Sequence, residues 1–286
     1  MENFILGGGI TGLTAALYYK KYFVLTKDFG QKEIGPRILR KTEHVDSFLE
    51  KFGIDLESKT YKCGYIVDKK IDLSTKIYNK IDFIQKNNYL EKTSRQELKN
   101  IMNDGIVEME GYDMTKLYVK LFRMITARII PVELLRIDIE KKIIMGKREN
   151  YSYNKIVNTL PVSIFNSLLG YSNTTRGTIY AYVFKSEFFD KFLSDFDFLY
   201  FTHPGIPFYR ITKHEENIFS AESMQHLYFA KGLGYIEILE YVEIPLGKVT
   251  ENIKCIMVEN VFHLGRYATN TQGVRLDEVI KTLEEQ

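Results

Sequence analysis

Three glycines near the start of the chain have the spacing of a loop that binds a phosphate. The segment NFILGGGITGLTAALYYKK covers residues 3–21, and within it Gly7, Gly9 and Gly12 give the pattern G-x-G-x-x-G. Gly7 permits a tight turn, Gly9 lets the backbone approach a pyrophosphate, and Gly12 allows a helix to pack closely on a strand. The N–H groups at the start of that helix would face the phosphates. The segment therefore predicts a dinucleotide-binding loop.

The chain departs from the usual dinucleotide pattern at the end of the next predicted strand. The segment YFVLTKD predicts the second parallel strand of a β-α-β unit. An acidic residue usually follows such a strand and binds the ribose hydroxyls. Thr26 and Lys27 hold that place here, and Asp28 comes slightly late. Two alternatives stay open: Asp28 replaces the usual acid, or Thr26 donates its hydroxyl. The departure weakens the case for NAD more than for FAD, because FAD is held along more of its length.

The other reactive side chains form no motif for catalysis or metal binding. The five histidines lack metal-ligand spacing, and neither Cys63 nor Cys255 lies in a CxxC motif. No Cys–His or Ser–His–Asp pattern is apparent in the sequence, so we expect no metal site. This absence suits an enzyme in which a bound cofactor carries the chemistry and the protein supplies orientation and electrostatics.

Size and charge place the chain among soluble globular proteins. Its 286 residues are enough for two domains, and 45% of them are hydrophobic and 27% charged. The net charge of +2 does not indicate a nucleic-acid-binding field. Two cysteines favour a reducing compartment, and no apolar run approaches the roughly 20 residues of a membrane span. The N-terminus also lacks the features of a signal peptide, so we expect a cytoplasmic protein.

The periodicity of apolar residues predicts the elements that must position the glycine loop. Residues 44–57 have helical spacing, and residues 61–84 alternate in the way that strands do. The segments SRQELKNIMND and DMTKLYVKLFRMI predict helices capped by Ser94 and Asp113. Residues 176–244 predict mostly strands, rich in Tyr and Phe.

Four separated segments of the chain match, in order, the motifs of one known family. They are GGGITGL at 7–13, PVELLRID at 131–138, VNTLPVSIF at 157–165 and FHLGRYA at 262–268. Together they resemble the FAD-dependent amine oxidase superfamily, near its UDP-galactopyranose mutase-like and protoporphyrinogen oxidase-like members. A fifth segment, IPFYRITKHEENIFS at 206–220, resembles a strand pair of the family's substrate domain. The order and spacing of the segments carry the resemblance, which spans nearly the whole chain.

The resemblance implies that the chain binds FAD, and binds it without a covalent bond because neither cysteine lies in a flavin-facing motif. In the family, the glycine loop holds the pyrophosphate, and a backbone segment after a proline contacts the adenine. Val132 matches that segment. The residues assigned to this part of the cofactor are Gly7, Gly9, Thr11, Gly12, Thr26, Lys27 and Val132.

Other matched positions imply contacts farther along the cofactor. Thr159 and Pro161 match the strand end that lies beneath it in the family. Gly265 and Arg266 match the C-terminal turn against the pyrophosphate and ribityl chain. Arg37, in GQKEIGPRIL, lies where the family often has a Gly-Gly-Arg element near the pyrophosphate and flavin.

The expected fold class is α/β, with a discontinuous, Rossmann-like FAD-binding domain and a smaller, β-rich substrate domain. The FAD-binding domain is predicted to comprise residues 1–62, 112–165 and 245–286. The substrate domain is predicted to comprise residues 63–111 and 166–244. The chain is short for this superfamily, so the flavin could be accessible to a large substrate.

The leading functional prediction is oxidation of an amine or a similar C–N bond by hydride transfer to FAD. Three alternatives stay open: a mutase-like reaction on a nucleotide sugar, modification of a nucleobase side chain on nucleic acid, and a flavin-binding module without turnover. A mutase-like site would need cations, for which Arg210, Lys213 and Arg176 are candidates. The expected partner is a small-molecule substrate, with nucleic acid as the alternative and no membrane. The oligomeric state stays open.

Two adjacent residues, Tyr209 and Arg210, are the candidates for substrate contact or catalysis. They lie in the segment IPFYRIT, which the resemblance places beside the flavin. Strand alternation predicts that the two side chains point to opposite faces. An anionic substrate would need Arg210 in the pocket, whereas a neutral amine would need Tyr209 there and would leave Arg210 in a structural ion pair.

Overall fold

The computed structural model describes residues 1–27, 38–93, 108–171, 177–226, 236–248, 255–269 and 274–286. Within these ranges the chain forms two sheets with helices packed against them. The helices are α1 (Ile10–Tyr18), α2 (Glu43–Lys51), α3 (Phe83–Lys92), α4 (Met114–Ile125), α5 (Val162–Leu168), α6 (Glu187–Phe192), α7 (Arg266–Thr269) and α8 (Leu276–Glu284). One 3-10 turn, Thr126–Arg128, follows α4.

The strands are distributed over two sheets that alternate along the chain. The first sheet contains β1 (Glu2–Leu6), β2 (Tyr22–Thr26), β6 (Ile129–Pro131), β7 (Leu134–Asp138), β8 (Ile143–Gly146), β9 (Asn150–Asn158) and β15 (Val261–His263). The second contains β3 (Ile38–Arg40), β4 (Ser58–Ile66), β5 (Glu108–Asp113), β10 (Gly177–Lys185), β11 (Phe198–Phe201), β12 (Arg210–Glu215), β13 (Ile218–Ser223) and β14 (Glu237–Lys248).

The first sheet has a parallel centre that confirms the predicted α/β class. Its strand order is β6-β2-β1-β9-β8-β7, with β15 paired to β9. The pairs β2–β6, β1–β2, β1–β9 and β9–β15 are parallel, whereas β7, β8 and β9 form antiparallel hairpins. Strands of such a centre are apolar on both faces, which explains the buried run Phe4, Ile5 and Leu6. Parallel strands end at one edge, so the segments after β1, β2, β6 and β9 meet there.

Helix α1 packs on one face of the first sheet because almost its whole length is small or apolar. Leu13, Ala15, Ala16 and Leu17 are buried in a cluster that also holds residues of α2, α4 and α8. Asp113 caps α4, as predicted, and its carboxylate accepts hydrogen bonds from the next turn. These contacts fix the start of α1, and with it the glycine loop.

The second sheet has the order β14-β10-β13-β12-β11-β4-β5-β3. Its apolar face, with Leu199, Ile211 and Ala221, packs against Phe189 and Phe192 of α6. The opposite face carries polar side chains, which are described below. Strands of both sheets come from several stretches of chain. The predicted division of the chain into two domains stays a prediction.

The strand-like alternation over residues 61–84 was only partly correct, because β4 ends at Ile66 and α3 begins at Phe83. Between them Asp72 accepts hydrogen bonds from the N–H and hydroxyl of Ser74, which forms a turn. The predicted helix at Ser94 lies outside the described residues. In the described part of the chain, no helix combines the length and apolar character needed to cross a membrane.

Candidate functional site

The glycine loop between β1 and α1 is closely packed against the protein. Gly7 has a φ of +105°, a backbone conformation that favours glycine. A Cβ on Gly12 would collide with the carbonyl oxygen of Gly7, and a Cβ on Gly8 would lie 2.7 Å from Thr26 Oγ1. The protein's own packing therefore requires glycine at these three positions.

Gly9 differs from the other glycines of the loop because open space lies where its side chain would begin. A Cβ built on Gly9 has no described atom within 4 Å. Gly9 is also the N-cap of α1, which has no side-chain cap and no acidic residue in its first turn among the described residues. The N–H groups at the start of α1 are therefore available to an anion from outside the chain. A phosphate group would approach the loop on this open side.

Two distant segments pack against the loop at the same sheet edge. The Thr159 hydroxyl, just after β9, donates to the Leu6 carbonyl at 2.7 Å, and a Cβ on Gly7 would lie 2.7 Å from its oxygen. Gly265, with a φ of +88°, sits against Thr11, whose Cγ2 would lie 2.8 Å from a Cβ on Gly265. Segments matched to the family at the start, middle and end of the chain thus meet at one place.

The end of β2 brings together the residues expected near the ribose and adenine. The Val132 N–H donates to the Thr26 carbonyl at 2.8 Å, which extends the β2–β6 pairing beyond Pro131. Lys27 Nζ lies 3.0 Å from Glu133 Oε1, and Lys147 Nζ lies 3.4 Å from Glu133 Oε2. These two lysines lower the pKa of Glu133, first through the hydrogen bond from Lys27.

Three predicted cofactor residues are less closely tied to the loop. Pro161 is the N-cap of α5, and its carbonyl accepts the first hydrogen bond of that helix. Arg266 begins α7 and is exposed, with its guanidinium carbon 4.9 Å from the centre of the Tyr267 ring. Arg37 lies outside the described residues. The roles assigned to these residues stay predictions.

Sequence reasoning missed several residues that shape this site. Tyr118 of α4 donates from its hydroxyl to the Gly8 carbonyl at 3.2 Å. Gly8 itself was not singled out, although its contact with Thr26 leaves no room for a side chain. Glu133 was missed because it follows another strand, β6, and is 106 residues from Lys27. Local spacing carries no signal for Tyr118 or Glu133, since only the strand order places them here.

The polar face of the second sheet is built from side chains in one row across four strands. Tyr65 of β4 is opposite Tyr200 of β11, which is opposite Arg210 of β12, which is opposite Glu222 of β13. Directly opposite residues share a face, and we call these four the polar row. Arg210 Nη2 contacts both carboxylate oxygens of Glu222, at 2.7 and 2.5 Å. The side chain of Glu222 is only 4% exposed, so this ion pair is largely removed from water.

Aromatic rings pack around the polar row. Tyr65 stacks on Tyr200 with ring centres 5.7 Å apart, and Tyr89 of α3 meets Tyr200 edge-on at 5.6 Å. Tyr209 is buried in the same cluster, and burial raises its pKa well above the ordinary value. Arg210 Nε is buried without a hydrogen-bond partner among the described residues. A buried polar surface with an unused donor is a feature of ligand sites.

The expectation that Tyr209 and Arg210 point to opposite faces was wrong. The guanidinium carbon of Arg210 lies 5.9 Å from the centre of the Tyr209 ring, and Tyr209 hydrogen-bonds Glu222. The reason is that β12 begins at Arg210, so Tyr209 precedes the strand and strand alternation does not govern it. Both residues therefore border the same cluster.

Lys92 is a further buried group near the polar row. It lies at the end of α3, and its ammonium donates to the carbonyls of Phe201 and His203, each at 3.0 Å. Burial lowers the pKa of Lys92 to about 7. The charge state of this end of α3 is therefore sensitive to pH near neutrality.

The fold also brings a cysteine and a histidine together that the sequence did not pair. Cys255 Sγ lies 3.2 Å from His263 Nδ1, and Asn158 Nδ2 lies 3.0 Å from the same nitrogen. Burial raises the pKa of Cys255 to about 11 and lowers that of His263. The thiol is therefore protonated and a poor nucleophile near neutrality. No group of three or more His, Cys, Asp or Glu suited to a metal occurs in the described ranges.

The residues at the edge of the first sheet fit a dinucleotide such as FAD. The open side of Gly9 admits a phosphate, and α1 directs its N-terminus there. The glycine turn at Gly265 lies against Thr11, and the backbone at Val132 follows the end of β2. This arrangement could hold the phosphate, ribose and adenine parts of such a group from separate segments of one sheet edge.

Comparison with known proteins supports a flavin-binding fold. No protein-family model and no curated protein matches the sequence. Among solved structures, a CLA-producing fatty acid isomerase from P. acnes has a TM-score of 0.67 and 11% identity, over 99% of this chain and 97% of that one. A reduced UDP-galactopyranose mutase has a TM-score of 0.64 and 10% identity, over 99% and 94%. A putrescine oxidase variant has a TM-score of 0.61 and 8% identity, over 99% and 97%.

These three proteins share an architecture although they carry out different reactions. Each likeness covers nearly the whole of both chains, so the similarity includes both sheets and is not limited to the glycine loop. At such low identity the likeness extends to the fold alone. The predicted resemblance is confirmed at that level: this chain has the fold of the FAD-dependent amine oxidase-type flavoproteins.

Proposed function

We propose that this protein is an FAD-dependent oxidoreductase that binds FAD without a covalent bond and oxidises an amine at its C–N bond. The observation that carries the cofactor assignment is the open side of Gly9, where a Cβ would meet no described atom within 4 Å. Contacts within the protein explain why positions 7, 8 and 12 are glycine, but they do not explain glycine at position 9. A ligand that must come close to the backbone at Gly9 would explain it.

The charge state of the polar row supports an amine over an anion as the substrate. Glu222 neutralises Arg210 through two short contacts, so the row offers no net cation to a carboxylate or phosphate. The tyrosines around it form a wall that excludes water and suits the apolar part of an amine. The putrescine oxidase among the similar structures acts on an amine by its name.

In this proposal the polar row faces the substrate and positions it beside the flavin. FAD, when bound, accepts the hydride equivalent from the substrate carbon. Tyr200, which is half-buried, packs against the substrate, and Glu222 holds both Arg210 and the buried Tyr209 hydroxyl in place. Burial keeps the Tyr209 hydroxyl protonated, so it acts as a hydrogen-bond donor to Glu222 and helps to position the polar row.

A redox-neutral reaction is the second candidate, and the comparisons give a specific reason to keep it. An isomerase and a mutase lie among the similar structures. In this case the flavin would return to its starting state in each turnover. An amine would then fail to reduce the flavin.

The test begins with the purified protein and the identification of its cofactor after denaturation. We expect a yellow protein that releases intact FAD into the supernatant. Anaerobic addition of a panel of amines should bleach the flavin absorbance, and Tyr209→Phe should slow this reduction while FAD stays bound. Tyr171→Phe, a change at an exposed tyrosine, is the matched control. A colourless protein that takes up no added FAD would rule out the proposal, and turnover that requires pre-reduced flavin would favour the second candidate.

A further inference from the structure

The end of β2 lacks the acidic residue that dinucleotide-binding folds usually place beside the ribose. Thr26 is the last residue of β2, and Lys27, which follows it, has the opposite charge. Asp28 lies outside the described residues. A ribose diol in this fold is normally bound by a carboxylate at this position. A nearby acidic residue from another segment would have to take that role.

Glu133, two residues after the neighbouring strand β6, places a carboxylate at this position. β6 runs parallel to β2 with Thr26 opposite Pro131, and the Val132 N–H donates to the Thr26 carbonyl at 2.8 Å. Glu133, the next residue after Val132, therefore lies beside the C-terminal end of β2. The carboxylate Oε1 lies 3.0 Å from Lys27 Nζ, which directly follows β2.

The surroundings of Glu133 hold its carboxylate ionised and in place. Lys147 approaches the other oxygen at 3.4 Å, and the Lys147 N–H donates to the Glu133 carbonyl at 2.9 Å. A carboxylate has about four acceptor positions, so one lysine contact on each oxygen leaves positions for two hydroxyl donors. The side chain is 38% exposed and can be reached by a ligand.

We propose that Glu133 binds the adenosine ribose hydroxyls of the cofactor, in place of the acid missing from β2. Lys27 and Lys147 orient the carboxylate from either side. This inference rests on the proposed binding of FAD, and it deepens that proposal by assigning the ribose contact to a residue that directly follows the parallel pairing of β2 and β6. The lysines serve Glu133 and do not bind a phosphate on the ribose.

Equilibrium titration of apoprotein with FAD and with an FAD analogue lacking the adenosine 2′-hydroxyl tests this assignment. Wild-type protein should bind the 2′-deoxy analogue about 10-fold more weakly than FAD, the loss expected for one hydrogen bond to a charged group. Glu133→Gln should bind FAD about 10-fold more weakly and should lose most of the discrimination between the two ligands. Glu149→Gln, in the nearby turn between β8 and β9, is the matched control and should behave like wild type.

The outcomes separate this inference from the proposed function. If the apoprotein does not bind FAD at all, the proposed function itself fails. If Glu133→Gln binds FAD normally, or still discriminates against the 2′-deoxy analogue, the assignment is wrong; loss of discrimination in Asp28→Asn would then move the role to Asp28. Tighter binding of an adenosine 2′-phosphate ligand such as NADP than of its unphosphorylated form by the wild type would also overturn the assignment. It would show that Lys27 and Lys147 bind a phosphate at this position. A thermal melt of each variant checks that the change at position 133 has left the fold intact.

Discussion

The glycine loop and the polar row are built in opposite ways. The loop is a continuous segment of six residues from Gly7 to Gly12, and all its glycines except Gly9 lie against backbone atoms or neighbouring side chains. The polar row takes one residue from each of four strands and holds a buried ion pair. The glycine loop depends on residues without side chains, whereas the polar row depends on an intact ion pair between two side chains. Substitutions should therefore affect stability and ligand binding differently in the two regions.

The largest effect is expected for Gly12→Ala, which tests whether the loop is packed as tightly as its geometry indicates. The new Cβ would collide with the Gly7 carbonyl oxygen, a backbone atom that cannot move aside without displacing β1 or α1. We expect a loss of about 3 kcal/mol or more in the free energy of unfolding. Urea denaturation of the apoprotein measures this loss. An unchanged midpoint would show that the loop is more open than described.

Glu222→Gln should have the next largest effect, because it leaves the Arg210 charge buried without its counter-ion. Removal of one partner of a buried ion pair typically costs about 3–5 kcal/mol. The partial exposure of Arg210, at 20%, places the expected loss in the free energy of unfolding at the lower end of that range. Glu240→Gln on the exposed part of β14 is the control. Recovery of stability in the apolar pair Arg210→Met with Glu222→Leu would support the explanation, and equal stability of Glu222→Gln and wild type would contradict it.

Gly9→Val should separate ligand binding from stability within the loop. The Cβ of the valine has no described protein atom within 4 Å, so the melting temperature of the apoprotein should stay close to that of wild type. The same side chain would occupy the approach to the α1 N-terminus, and FAD affinity should fall at least about 100-fold, or about 2.7 kcal/mol. Gly9→Ala should show a smaller loss of affinity. Retention of FAD by the valine variant would place the cofactor elsewhere.

The smallest effect, counted per pH unit, is expected from the titration of Lys92 at the end of α3. The pKa of Lys92 is lowered to about 7 in the folded protein, whereas in the unfolded chain it lies near 10.4. Between these values the unfolded chain binds the extra proton, so the free energy of unfolding should rise with pH. The slope is at most about 1.4 kcal/mol per pH unit. Below pH 7 the charged form is present in both states and the gain is lost.

Denaturation of wild type and Lys92→Met between pH 7.5 and 9.5 measures this dependence. The methionine keeps the length and apolar character of the side chain, so only the titrating ammonium is removed. The wild-type curve should rise relative to that of the variant across the window. Parallel curves would show that the two carbonyls of Phe201 and His203 stabilise the ammonium enough to offset its burial.

Local sequence determined the parts of this protein that depend on neighbouring residues. The G-x-G-x-x-G spacing predicted a tight turn into a helix, and Asp113 marked the start of α4, because both depend on backbone geometry within a few residues. The ordered motifs predicted the α/β fold and the meeting of Gly7, Thr159 and Gly265, since segments that follow parallel strands lie at one edge of a sheet. The alternation over residues 61–84 failed where local hydrogen bonds made a turn.

Only the tertiary structure decided which residues from distant strands face one another. Strand order and register place Glu222 opposite Arg210 and so neutralise a cation whose pairing the sequence had left open. Tertiary packing likewise places Glu133 beside Lys27, and the Tyr118 hydroxyl beside the Gly8 carbonyl. Such pairings depend on which strands become neighbours, and that choice is made by the packing of the whole chain rather than by any short segment. The sequence by itself therefore determined a loop that fits FAD, and the fold decided which charges and rings lie together in the polar row.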